Sequence, residues 1–328
     1  IAFTTRRIIG FSAMGGLVVA AGAYFSGNVR LYCLWGLILT APIDLSKKFI
    51  PLLHMGGEAA FRIEASDLFL GPLLAFLAFD VARERGWNLR VPRAALYWTI
   101  SIFLGAIVVG LGPFRLAAAH ECVRMTKVLL LFLLIANAIV RERQIKHIVA
   151  GLFVVVIVQS IIALIQYFFK VNLGLEVLGE TGADATEGLS KGTLMGKEIT
   201  RVGALMIHPN VFAAYLASLL PMGIALLFTR ISAPLKALCA TAVVLGEVAL
   251  VATGSRSGWI TFAVGFLLVL LLSFANAEMR KRYVALRVII LIAAVGVGLG
   301  FSGYILDRLT LSDPGAVSLR WRIAGDAW

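Results

Sequence analysis

An all-α, polytopic transmembrane helical bundle of about ten spans, forming a single domain over residues 1–328, is what this chain predicts. Three observations carry that reading. The residues AVILMFWYC make up 60% of the chain and charged residues only 15%, against about 25% charged in soluble domains. The mean hydropathy is +0.93. There is too little polar surface to cover a soluble globule, so a soluble enzyme, a disordered chain and a fibre are excluded. Apolar stretches also recur at about 8–25, 31–45, 66–80, 95–112, 124–140, 147–169, 207–229, 235–252, 257–275 and 287–304. Finally, these runs are continuous rather than alternating, which selects helices over a membrane barrel.

In chain order, the 31–45 and 66–80 runs are short, and are expected to be tilted, extended or re-entrant. Pro72 and Pro221 fall inside spans and are expected to kink them. Segments 44–65 and 112–124 read as loops, the first holding His54 and the second Arg115, His120, Glu121 and Arg124. His147 reads as a loop residue between two spans. The longest non-apolar segment, 170–206, reads as an ordered or semi-ordered outer loop. Residues 305–328 read as a further outer segment. The chain starts at Ile1 and stops at Trp328 inside a helical-looking stretch, so both ends are expected to continue in the native protein. Cys33, Cys122 and Cys239 have neither metal nor disulfide spacing and read as small packing residues.

Net charge is +12. In this apolar context it points to basic cytoplasmic loops rather than nucleic acid. Loops 80–93, 141–147, 230–236 and 278–287 hold 13 Lys and Arg in 38 residues, against 14 in about 101 on the other face, including Lys127. The denser set is expected inside. Residues 170–206, the turn at Arg256 and the tail then lie outside. Counting back places Ile1 outside, against Arg6 and Arg7, which favour the inside.

Two constellations can carry chemistry. In Arg201-Val-Gly-Ala-Leu-Met-Ile-His208-Pro209-Asn210, Pro209 suits the first turn of a helix. His208 and Asn210 then mark a span beginning where free N–H groups and the positive dipole end collect. Arg201 folded over this end makes an anion site; as a solvated loop residue over a capping His208, it makes none. In Thr253-Gly254-Ser255-Arg256-Ser257-Gly258-Trp259, Arg256 stands in a short outer turn. It either snorkels to lipid phosphate or grips a substrate anion. Glu247, inside the 235–252 run, is a functional candidate by its cost. It reads more readily as a structural acid, either paired with Arg256, Lys127 or another buried cation or protonated by burial. Asn137, Gln159 and Gln166 read as interhelical hydrogen-bond partners. Arg320 and Arg322 offer two further outer arginines. Four His without Cys or carboxylate spacing argue against a protein-built metal site, and no cofactor motif is present.

The arginine shortly before His-Pro-Asn-x-x-Ala-x-Tyr-Leu, the Thr-Gly-Ser-Arg-Ser-Gly-Trp helix break and the tail Ser318–Trp328 together resemble the O-antigen ligase and polymerase superfamily. The resemblance covers about residues 120–328 by motif. It implies a multi-pass protein of the bacterial inner membrane whose active site faces the periplasm. It implies a metal-independent glycosyltransferase that moves a glycan from undecaprenyl diphosphate to lipid A-core, or, as a polymerase, to a lipid-linked acceptor. Arg201 and Arg256 would hold the donor diphosphate, with Arg320 or Arg322 as a weaker third match. His208, Asn210, Ser255 and Ser257 would support the site. The family's catalytic His is expected beyond Trp328, in a periplasmic loop that residues 305–328 open. A transporter or flippase of an anionic lipid-linked substrate is the competing class; it calls for an inverted repeat, and none is visible.

Overall fold

A computed structural model describes residues 27–43, 46–52, 59–83, 89–111, 115–138, 142–175, 190–194, 197–206 and 208–275, with a few isolated positions outside them. Chain order among the described residues is α1 (Val29–Thr40), β1 (Ser46–Leu52), β2 (Ala59–Glu64), α2 (Ala65–Arg83), α3 (Arg93–Leu111), α4 (Arg115–Ala138), α5 (Glu142–Phe169), β3 (Ser190–Leu194), β4 (Lys197–Arg201), α6 (Pro209–Leu227), α7 (Ala233–Ala252) and α8 (Arg256–Ala275). Six helices are long and apolar enough to cross a membrane: α2, α3, α5 from Ile145, α6, α7 and α8. They lie on six of the apolar runs, because about 20 apolar residues in helical form match the hydrocarbon thickness. The molecule is a multi-pass membrane protein by this measure.

The remaining runs differ. The 31–45 run folds as α1, whose 12 residues reach only about 18 Å. The 124–140 run is the second half of α4, which begins earlier, at Arg115. Residues 115–124 are therefore helix rather than loop. Ala117–Ala119 favour that state, and Arg124 pairs with Glu121 at 2.6 Å one turn back. His147 likewise falls within α5. The runs 8–25 and 287–304, the tail 305–328 and His54 lie outside the described residues. Both α2 and α6 continue through their internal prolines, Pro72 and Pro221. Two antiparallel hairpins, β1–β2 and β3–β4, stand in segments read from sequence as loops. Ser46 pairs with Glu64 in the first and Ser190 with Arg201 in the second.

The chain divides into two compact units, residues 1–151 and 152–328. In the first, Cys33, Leu37, Phe69, Leu70, Leu73 and Leu134 form the buried cluster. Gly36 leaves room for the Phe69 ring on the facing helix. Arg30 closes one end of the α1–α2 pair with two 2.7 Å bonds to Asp80, its guanidinium 5.0 Å from the centre of the Phe76 ring. Lys127 of α4 reaches Asp67 at 2.9 Å and Glu64 at 3.5 Å. All three side chains are between 24% and 33% exposed. Removing the cation leaves two half-buried carboxylates facing each other. Lys127→Met is expected to destabilise this unit by about 1–2 kcal/mol, between exposed and buried pairs. Thermal unfolding in detergent checks it, and adding Asp67→Asn should recover part of the loss.

In the second unit α5 is buried along Phe153, Val156, Gln159, Ser160 and Ala163. Gly223 of α6 receives Phe153 and Val243, and Gly246 of α7 receives Leu220. Those pairs set α6 and α7 antiparallel. Ala213 lies against Gly258 and Pro221 against Gly265. Moving eight residues along α6 thus moves seven along α8, so these two helices run parallel. Their N-termini lie at the same end.

Candidate anion site at two helix starts

The α6 start is built by His208. Its extended backbone, φ −112° and ψ 129°, turns the chain into the helix, and Pro209 occupies the first helical position. Pro209 has no N–H, so Asn210 carries the first donor of the helix. His208 Nδ1 accepts it at 3.1 Å, which requires a neutral ring with its proton on Nε2. Val211 and Phe212 N–H groups then bond to the His208 carbonyl.

The α8 start is built by the Thr253–Trp259 turn. Gly254 has φ +61°, the left-handed geometry that ends a helix and that glycine adopts without Cβ strain. Thr253 Oγ1 donates to the Leu250 carbonyl at 2.7 Å and accepts from Ser255 N at 3.2 Å. Ser255 Oγ accepts from Gly258 N at 3.4 Å, capping α8. The Ser255 and Ser257 hydroxyls are 3.3 Å apart. Trp259 Nε1 donates across the turn to the Leu250 carbonyl at 3.0 Å. Its indole therefore ties the turn together.

Arg201 joins the two starts. Leaving the end of β4, its Nε donates to the Thr253 carbonyl at 2.9 Å and its Nη2 to Asn210 Oδ1 at 2.7 Å. Both acceptors are neutral, so these bonds aim the guanidinium without cancelling its charge. Arg256, half-buried, is the first residue of α8, three residues beyond the carbonyl that Arg201 holds. The structure therefore brings Arg201, His208, Asn210, Ser255, Arg256 and Ser257 to one end of the second unit. Two aligned helix N-termini, each equivalent to roughly half a positive charge, add to the two arginines. Such an arrangement suits a phosphate or diphosphate. Arg320 and Arg322 lie outside the described residues.

Other residues behave differently from their sequence reading. Glu247 is 6% exposed in the middle of α7, but it pairs with neither Arg256 nor Lys127. Lys127 is taken by Asp67 and Glu64. Glu247 makes no hydrogen bond or ion pair among the described residues. Glu247→Gln keeps the shape and leaves no partner behind. It is expected to shift stability by less than about 1 kcal/mol in a thermal unfolding series. Asn137 bonds the backbone N–H and C=O of Arg90 at 2.8 and 2.9 Å. Gln159 and Gln166 bond loop backbone at Leu205 and Ala204, both at 3.1 Å. All three staple a helix to a non-helical segment. Glu180, one of several loop acids in the sequence, is buried here at 4% exposure. Its carboxylate accepts from Gln166 Nε2, Leu173 N and Leu175 N at 2.7–2.8 Å. Nothing local to Glu180 signals this, since Gln166 is on the preceding helix. Among the described residues no group of three His, Cys, Asp or Glu is placed to hold a metal ion.

No family model, curated protein or solved structure matches this chain.

Proposed function

We propose that this protein is a membrane glycosyltransferase that takes its glycan from undecaprenyl diphosphate. The acceptor in this reading is lipid A-core, as in an O-antigen ligase. A lipid-linked glycan, as for a polymerase of the same superfamily, is the alternative. The observation that carries the proposal is the bridge made by Arg201 between the helix starts that also bear Arg256. Around it stand the resemblance of the Arg201–Asn210 and Thr253–Trp259 motifs to that superfamily and the multi-pass helices. The reading extends to about ten spans in the bacterial inner membrane, with this end facing the periplasm, in agreement with the distribution of Lys and Arg.

The chemistry is that of a charged leaving group. The acceptor oxygen forms a bond to the anomeric carbon. The bond from that carbon to the phosphate oxygen breaks, and its electron pair leaves on undecaprenyl diphosphate. Direct displacement inverts the anomeric centre. Arg201 and Arg256 stabilise the developing charge, and Arg201, already held by the Thr253 carbonyl and Asn210, needs little reorganisation. The acceptor proton passes to a base. A donor anchored by its lipid is confined to the membrane plane, which aids its orientation.

The test uses the full-length protein in liposomes with lipid-linked glycan and either lipid A-core or a second lipid-linked glycan. Transfer to one acceptor, lost in Arg256→Ala with unchanged folding, supports the proposal. Absence of transfer to both acceptors rejects it. A second reading, a transporter of an anionic lipid-linked substrate, is favoured by Glu247, an acid buried within a span. It requires flux across the bilayer that Glu247→Gln abolishes.

A further inference from the structure

In the segment between β4 and α6, Val202, Ala204, Leu205 and Met206 are buried, with Val202 at 0%, Ala204 at 2% and Leu205 at 4% exposure. Buried backbone in a non-helical segment has to find its hydrogen bonds from protein groups. Here one face of α5 supplies them. Gln159 and Gln166, seven residues and two turns apart, accept the successive N–H groups of Leu205 and Ala204. Ala204 has φ +51°, a left-handed conformation that a residue with a Cβ keeps only when its surroundings hold it there. Gln166 is itself oriented from behind. Its Nε2 donates to Glu180 at 2.8 Å, and that carboxylate is fixed by the Leu173 and Leu175 N–H groups. Arg201 lies three residues before Ala204, and its guanidinium must span from the Thr253 carbonyl to Asn210 Oδ1.

We propose that Gln166 and Glu180 are positioning residues for the anion site, acting through Ala204 to hold Arg201 across the two helix starts. This inference rests on the site reading given above. Gln166 fixes the amide orientation that Ala204 N–H needs, and Glu180 prevents that amide from flipping. A flip would point Nε2 at the Ala204 N–H, donor against donor, and release the segment that carries Arg201. The device places the aim of an arginine at one end of the unit under the control of a buried carboxylate–amide pair that the anion itself does not reach.

The experiment uses the full chain in phospholipid nanodiscs, with undecaprenyl diphosphate as the probe, well below the melting temperature of each variant. Two readouts are taken: the affinity for the probe and the Arg201 Nε–H resonance in nitrogen-15 spectra, identified by its loss in Arg201→Lys. Glu180→Gln, which is isosteric, and Gln166→Glu, which sets two carboxylates together, should each weaken the Nε–H signal and lower affinity about tenfold. The exchanged pair, Gln166→Glu with Glu180→Gln, restores a donor facing an acceptor between the two side chains but sets that donor against the Leu173 N–H, so it should recover part of both readouts. If the folded single variants keep wild-type affinity and an intact Nε–H signal, Gln166 and Glu180 only support the fold, and the positioning role is overturned. Failure of the wild-type chain to bind the probe overturns the site reading instead. The Nε–H arm needs no ligand, so the two failures are distinguishable.

Discussion

Arg201→Ala is expected to lower glycan transfer from the lipid diphosphate donor by about 10²–10³-fold, the usual cost of removing one preorganised donor from a developing anion. Arg256→Ala is expected to fall in the same range. The two variants separate two physical contributions. Arg201 makes two bonds to neutral groups that tie α8 to α6, so its loss also costs about 1 kcal/mol of stability per bond. Arg201→Lys keeps the charge but replaces a planar fork with a single ammonium that cannot reach both acceptors with the same geometry. It is expected to recover part of the donor affinity and little of the rate. Steady-state transfer and donor binding, measured beside thermal unfolding, separate these contributions. Wild-type rates in both alanine variants would remove the arginines from the mechanism.

Gly258→Ala is expected to damage the site from a distance. A Cβ at position 258 would sit 2.7 Å from the Ala213 Cβ. Neither methyl group can rotate away, because both are attached directly to helix backbone. The helices must separate, at about 1–3 kcal/mol for an overpacked contact. Separation pulls the Thr253 carbonyl away from Asn210, and Arg201 cannot then hold bonds of 2.9 and 2.7 Å to both. Melting temperature and donor affinity should fall together. Adding Ala213→Gly returns the missing space and should restore affinity, since the pair still holds one glycine and one alanine and net helix propensity changes little. A Gly258→Ala protein with unchanged affinity would show that the spacing of α6 and α8 does not govern the site.

Much of the helical framework was legible in the residues. The 95–112, 147–169, 207–229, 235–252 and 257–275 runs each correspond to one helix within a few residues. One helix start of the site was legible too, marked by Pro209 after His208. Misreadings fell where charge hid helicity or where short polar segments paired. Arg115–Arg124 are helical although charged, because their alanines and the Glu121–Arg124 pair favour helix. The hairpins at 46–64 and 190–201 follow from pairing between strands rather than from a hydrophobic period. Of the cations the sequence offers to Glu247, Lys127 is held instead by Asp67 and Glu64.

The sequence by itself determined that the chain belongs in a membrane and where most of its helices run. Hydropathy is a local, additive property, and each run of about 20 apolar residues carries its own answer. Only the tertiary structure decided that Arg201 meets the Thr253 carbonyl 52 residues away, and that Glu180 and Gln166 are bound to each other. The first of these meetings depends on α6 and α8 running parallel in close contact. That arrangement comes from which small residues face each other across the bundle, Gly258 with Ala213 and Gly265 with Pro221. No periodicity within a single helix encodes it.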